Sequence, residues 1–247
     1  MNATARPVAL ITGSARRIGA AIARALHAAG FDLALHCRHS RAELDELIGQ
    51  FEHVRPGSTL ALQADLADFD RLPELVAHTI GRFGRLDALV NNASGFGPSP
   101  IGSVTPAQWD QLFATNARAP LFLAQAAAPH LAASGGAIVN LTDIYGERPL
   151  RAHTVYCMAK AALLMATRSL ALELAPQVRV NAVSPGAILW PQDATDTAAQ
   201  EAMLARTPLR RTGTPEEVAE AVRWLLQDAS YCTGQVLHLD GGRLLAG

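Results

Sequence analysis

Short β-like runs alternate with longer helical patterns along the whole chain, and this alternation restricts the fold more than any single residue does. The strand candidates are Val8–Thr12, Asp32–Cys37, Thr59–Gln63, Ala88–Asn91, Ala137–Thr142, Arg179–Val183 and Val236–Leu239. Between them lie amphipathic or alanine-rich stretches, among them Ile18–Ala29, Phe69–Phe83, Gln108–Ala133 and Val155–Leu174. Thr105-Pro106-Ala107-Gln108 and Thr214-Pro215-Glu216-Glu217 read as helix starts. Each has a capping hydroxyl, a proline at the first helical position and a Gln or Glu that can reach back to the cap. Mostly apolar strands separated by helices imply a parallel sheet covered on both faces and wound by right-handed crossovers. No composition shift or linker divides the 247 residues, so one α/β domain is expected.

Composition excludes several classes. With 49% hydrophobic and 17% charged residues the balance is that of a globular protein, not a disordered one. A formal net charge of −1 gives neither a basic field for nucleic acid nor a polybasic membrane patch. Cys37, Cys157 and Cys232 are far apart and make neither a disulfide framework nor a metal-ligand set, and no metal is expected. Met1–Pro7 runs straight into Val8-Ala9-Leu10-Ile11 without a signal-peptide pattern. No uninterrupted apolar run reaches the roughly 18–20 residues of a membrane helix. The expectation is a soluble cytoplasmic protein with no membrane or nucleic-acid partner.

In a sheet of this kind ligands bind at the carboxyl ends of the strands. The first strand ends in Thr12-Gly13-Ser14-Ala15-Arg16-Arg17-Ile18-Gly19, where a helix begins. Glycine lets the backbone turn tightly, and the helix amino terminus offers N–H groups to a pyrophosphate. The second strand ends at His36-Cys37-Arg38-His39-Ser40. An acidic residue there would suit NAD, whereas Arg38, flanked by His39 and Ser40, suits the extra phosphate of NADP. Asp65 can accept a hydrogen bond from an adenine amino group. The amides of Asn91-Asn92-Ala93-Ser94 can bridge strands or line the cofactor. Two Gly- and Pro-rich loops, Ser94–Gly102 and Ser184–Thr195, follow strands and belong at the same edge. Pro185-Gly186 should stop its strand, and the residues through Trp190 and Pro191 would form a flexible flap. Tyr156 and Lys160, four apart, project from one helical face, where the ammonium favours the phenolate and makes Tyr156 a proton donor near neutral pH. His130 and His153 lack partners at metal spacing and read as surface residues.

In order and spacing these motifs resemble the short-chain dehydrogenase/reductase family over essentially the whole chain. The matches are TGSARRIG at 12–19, ADL at 64–66, NNAS at 91–94, Asn116, the Tyr156/Lys160 pair and Ser184-Pro185-Gly186. Pro208–Glu217 and Leu239-Asp240-Gly241-Gly242 complete them. The resemblance implies a doubly wound Rossmann fold with a seven-stranded parallel sheet, commonly a homotetramer. Its cofactor half would span about 1–135 and its catalytic and substrate half about 136–247. It implies cofactor contacts from Gly13, Ser14, Ile18, His36, Leu66, Asn92, Ala93, Thr142, Pro185 and Gly186. Lys160 would hold the ribose hydroxyls, and Asn116 would support a water relay to Lys160.

Three departures narrow the resemblance. Arg17 and Ser94 stand where the family has glycine, and Asp143, thirteen residues before Tyr156, stands where it has serine. All three changes recur in pteridine reductases. Carried over residue by residue, Phe96 would stack on a pterin, Arg17 and Ser94 would touch cofactor phosphate and pterin, and Trp190 on the flap is a candidate substrate contact. A carbonyl reductase uses the serine hydroxyl to hold the substrate oxygen. A pterin is reduced at C=N bonds and carries an amidine-like edge, which the Asp143 carboxyl can pair with or protonate. The leading expectation is an NADPH-dependent pteridine reductase acting on dihydropterins, with dihydrofolate and biopterin as further candidates. Alternatives are a dihydromonapterin reductase, a generic NADPH-dependent carbonyl or 3-oxoacyl reductase, and a non-catalytic NADPH-binding sensor.

Overall fold

A computed structural model describes residues 6–190 and 197–246. Seven strands, β1 (Val8–Ile11), β2 (Asp32–Cys37), β3 (Thr59–Gln63), β4 (Ala88–Asn91), β5 (Ala137–Leu141), β6 (Arg179–Pro185) and β7 (Val236–Leu239), form one parallel sheet in the order β3-β2-β1-β4-β5-β6-β7. The helices are α1 (Arg17–Ala28), α2 (Arg41–Val54), α3 (Arg71–Phe83), α4 (Pro106–Phe113), α5 (Ala119–Ser134), α6 (Thr154–Leu174), α7 (Thr197–Ala205) and α8 (Pro215–Gln227). Both expected capping boxes form, at Thr105/Gln108 and Thr214/Glu217.

Side chains alternate across each strand, so β1 feeds two cores at once. Ala9 and Ile11 point into the layer made with α1, α2 and α8, whereas Val8 and Leu10 point into the layer made with α3 and α5. All four β1 residues are buried, which explains why the strand reads as a continuous apolar run. Fully burying each Leu or Ile contributes about 1.5–3 kcal/mol, so the pattern alone specifies the two-faced sheet. A polar strut crosses it: the Asn91 amide donates to Asn140 Oδ1 (2.8 Å), and the Asn140 amide donates to Thr167 Oγ1 on α6 (2.9 Å).

β1 pairs with both β2 and β4, and the winding reverses between them. That reversal opens the crevice in which ligands bind in such sheets.

Several expectations are revised. The stretch Gln108–Ala133 is not one regular helix, because a π-helical segment, Ala114–Arg118, separates α4 from α5. β6 runs two residues beyond the expected Val183 and stops, as expected, at Pro185, which is still in register with Leu239. Of the expected flap, residues up to Trp190 are described, and 191–196 lie outside the described residues. By length and composition α6 is long and apolar enough to cross a membrane. Its Val155, Tyr156, Ala159, Lys160 and Leu163 face is instead buried in the fold.

Candidate functional site

Gly13 ends the turn after β1 at φ 64°, and a Cβ there would lie 2.9 Å from Ala93 Cα. A side chain at Gly19 would run into the Gly13 carbonyl oxygen. These two glycines let the turn, the start of α1 and the loop after β4 pack backbone to backbone. Asn92 fastens the arrangement by donating its amide to the carbonyls of Thr12 and Gly13, both at 2.9 Å. No side chain caps the amino terminus of α1, which leaves its first-turn N–H groups for an anion.

Arg17 occupies the left-handed region at φ 53°, where the family pattern has glycine. For a non-glycine residue that conformation costs roughly 1–2 kcal/mol, the kind of strain that gathers at functional sites. Among the described residues the Arg17 guanidinium is bonded to backbone carbonyls rather than to a carboxylate. Its guanidinium donates to the carbonyls of Leu189 (3.2 Å) and Trp190 (3.4 Å), tying the start of α1 to the loop after β6.

A cavity of about 630 Å³ runs along this edge, lined at one end by Arg38, His39, Ser40, Asp65 and Leu66 and at the other by Asn92, Ala93, Ser94 and Phe96, with Gly13, Arg17 and Ile18 between. Arg38 pairs with Asp65 at 2.8 Å, both side chains being partly exposed. His36 also lines it but is 1% exposed, accepting from Gly13 N–H at Nδ1 (3.2 Å) and donating from Nε2 to the Ala64 carbonyl (3.1 Å). Burial lowers the pKa of this imidazole, consistent with the neutral tautomer those two bonds require. Ser14 and Thr142 are spent internally. Ser14 Oγ donates to the His36 carbonyl and Thr142 Oγ1 to the Val183 carbonyl, and neither lines the cavity. Gly186 N–H donates to the Leu239 carbonyl (3.0 Å) and anchors the exit of β6.

The reactive groups meet beside Phe96. A 3-10 turn, Ile144–Gly146, follows β5 and is capped by Asp143, whose Oδ1 accepts from Tyr145 N–H (2.9 Å). Its Oδ2 accepts from the Tyr156 hydroxyl at 2.7 Å. The Phe96 ring stands edge-on to Tyr156, 4.9 Å between centroids, and is itself 60% exposed. His153, expected at the surface, is partly exposed and stacks on Phe96 at 4.7 Å and 20°. Ser99 stitches the two loops together: its N–H donates to the Ala152 carbonyl and its Oγ accepts from Val155 N–H at the start of α6.

Burial drives the electrostatics. It pushes the Asp143 carboxyl above the usual carboxylate range, against the pull of Tyr145 N–H, Tyr156, Lys160 and Arg243. Burial, then the Asp143 charge, pushes the Tyr156 phenol up. Burial and the Asp143 charge thus outweigh the expected easing of Tyr156 ionisation by Lys160. Lys160 is itself held to about 8 by burial, its Nζ donating to the Leu141 carbonyl (2.9 Å) and lying 5.8 Å from the Tyr156 ring centroid. Tyr156 stays a phenol that hands its hydrogen bond to a carboxyl of raised proton affinity. Asn116, within the π-helical segment, accepts from Ser94 Oγ (2.8 Å) and donates to the carbonyls of Gly95 and Leu112 (both 2.9 Å). It fixes the Ser94–Phe96 loop, and its side chain is not bonded to Lys160.

A family model described as enoyl-(acyl carrier protein) reductase matches residues 13–243. The chain is 38% identical to pteridine reductase 1 of Leishmania tarentolae, covering 96% of each chain. It is 37% identical to L-xylulose reductase of Bos taurus, again over 96% of each. With a 3-oxoacyl-(acyl-carrier-protein) reductase of Staphylococcus aureus the identity is 33%, over 95% of this chain and 96% of that one.

Proposed function

Since the chain belongs to the short-chain dehydrogenase/reductase family, whose members are NAD(P)-dependent oxidoreductases, we propose that it is an NADPH-dependent pteridine reductase converting dihydropterins to tetrahydropterins. One observation carries this reading: the Tyr156 hydroxyl bonded to Asp143 at 2.7 Å, beside a Phe96 ring with an exposed face. A carboxyl of raised proton affinity suits a C=N substrate, because it can pair with an amidine edge and release a proton to a ring nitrogen. An oxoacyl substrate offers only a carbonyl oxygen. The likeness to pteridine reductase 1 supports the same choice.

The cavity fits the cofactor. Uncapped N–H groups and Arg17 suit a pyrophosphate, Arg38 suits a further phosphate, and Asp65 suits an adenine amino group. Bound NADPH supplies a hydride. Phe96 offers a flat surface to the pterin, with Arg17 and Ser94 at its polar edge and Trp190 nearby on the Arg17-tethered loop. Lys160 would hold ribose hydroxyls with the donors not used by Leu141. Asp143 and Tyr156 together would deliver the proton to the ring nitrogen beside the reduced carbon and would then be reprotonated from water. Residues of 1–135 chiefly hold the cofactor and those of 136–247 chiefly perform the chemistry.

Three free cysteines suit a reducing cytosol. On the outer side of α6, Met158, Met165 and Leu172 recur every seven residues and are 45, 58 and 83% exposed, which favours burial against a second copy in a homotetramer. The test is NADPH oxidation with dihydrobiopterin, dihydromonapterin, dihydrofolate and a 3-oxoacyl ester side by side. Turnover of a dihydropterin is expected, and its preferred side chain names the subtype. Turnover of the ester alone refutes the proposal in favour of a 3-oxoacyl reductase, and tight NADPH binding with no turnover refutes it in favour of a sensor.

A further inference from the structure

β7 ends at Leu239, and the chain beyond it folds back onto the 3-10 turn that follows β5. Asp240 accepts from Gly242 N–H at Oδ1 (2.9 Å) and from Leu244 N–H at Oδ2 (2.7 Å), which closes a tight turn. The turn places Arg243 against the 3-10 turn that follows Asp143. Arg243 Nη2 donates to the Tyr145 hydroxyl (3.2 Å), and its guanidinium lies 5.9 Å from that ring's centroid. In the other direction Arg148 Nη1 donates to the Arg243 carbonyl (3.1 Å). Two bonds of opposite direction thus clamp the C-terminal segment to the turn. Tyr145, held by its hydroxyl, donates its backbone N–H to Asp143 Oδ1 (2.9 Å).

We propose that Arg243 is a positioning residue of the site, acting through Tyr145 and by its own charge to aim the Asp143 carboxylate at Tyr156. This rests on the reading of Asp143 as the group that handles the proton. The groups facing Asp143 are Tyr156 and Lys160 from α6, Tyr145 from its own turn and Arg243 from the C-terminal segment. Arg243 and Lys160 favour the ionised carboxylate and burial opposes it, so the two cations set how readily Asp143 holds a proton. Lys160 is needed elsewhere, which leaves Arg243 as the cation dedicated to this task.

The test follows the Asp143 carboxyl by infrared difference against Asp143→Asn in nucleotide-free protein, so it needs no substrate. Arg243→Gln should move the titration to higher pH and lower kcat/KM for a dihydropterin roughly fivefold, as for one lost hydrogen bond. Arg243→Lys should restore most of the titration. Tyr145→Phe, which keeps the ring, should give a smaller displacement in the same direction. An unmoved titration in Arg243→Gln overturns the proposal. If that protein does not fold, an unmoved titration in Tyr145→Phe with unchanged turnover overturns it. Failure of the unmutated protein to reduce any dihydropterin would strike the pteridine reading instead, since the titration is read without turnover.

Discussion

Lys160 is 2% exposed, and its burial is expensive at neutral pH. Holding its ammonium at about 8 rather than 10.5 corresponds to roughly 3 kcal/mol of native-state destabilisation, at ~1.4 kcal/mol per pH unit. The Asp143 charge recovers only part of the desolvation. Lys160→Met keeps an unbranched stem of similar length and removes the charge. It also loses the bond to the Leu141 carbonyl, a loss of about 1 kcal/mol. The expected net gain is about 2 kcal/mol at neutral pH, together with loss of reductase activity, the trade-off of a site built for function. The sign follows from linkage. Below about 8 both native and unfolded chains carry the proton and the full penalty applies. Between about 8 and 10.5 the unfolded chain binds more protons than the native one, so the parent gains stability as pH rises and the advantage of Lys160→Met fades. Urea unfolding without nucleotide, at about pH 7 and about pH 10, measures this. A variant less stable than the parent at neutral pH, or an advantage that does not shrink at the higher pH, would show that Lys160 carries no such burial penalty.

Three further outcomes are expected. Arg38→Ala should weaken NADPH binding about 10- to 30-fold and leave NADH binding within about twofold, because a charge-assisted phosphate contact is lost. Titration calorimetry with both nucleotides checks it, and stability should barely change because the exposed pair with Asp65 is worth little. Phe96→Ala should raise KM for a dihydropterin roughly tenfold with NADPH affinity intact, since a ring 60% exposed contributes little to the core. Leu172→Glu, at an 83% exposed position on α6, should lower the oligomer mass seen by light scattering without unfolding the protomer.

The sheet was legible because its signal is redundant. Four of the seven strands, β2, β3, β4 and β7, have the expected bounds, since buried parallel strands are apolar on both faces and end where turn chemistry begins. The π-helical segment was not legible. Ala114–Arg118 keeps a helical composition, and the Asn116 side chain in it bonds Leu112 one turn back and Gly95 across the fold, the second being a tertiary contact that composition does not reveal. The stack of His153 on Phe96 was not legible, because the two lie 57 positions apart and meet where Ser99 joins their loops. The Tyr156–Lys160 spacing correctly put both side chains on one face. Spacing carries no burial term, so it could not reveal that desolvation outweighs the ammonium. Arg17 held a usable clue, because a bulky residue at a glycine position foretells a left-handed backbone.

If Asp143 with Tyr156 delivers the proton to a pterin ring nitrogen, Asp143→Ser should remove that delivery. With NADPH and a dihydropterin, kcat should fall about 100-fold or more, as for loss of a general acid, while NADPH affinity stays unchanged. A serine protein that reduces the dihydropterin as fast as the parent would contradict the account.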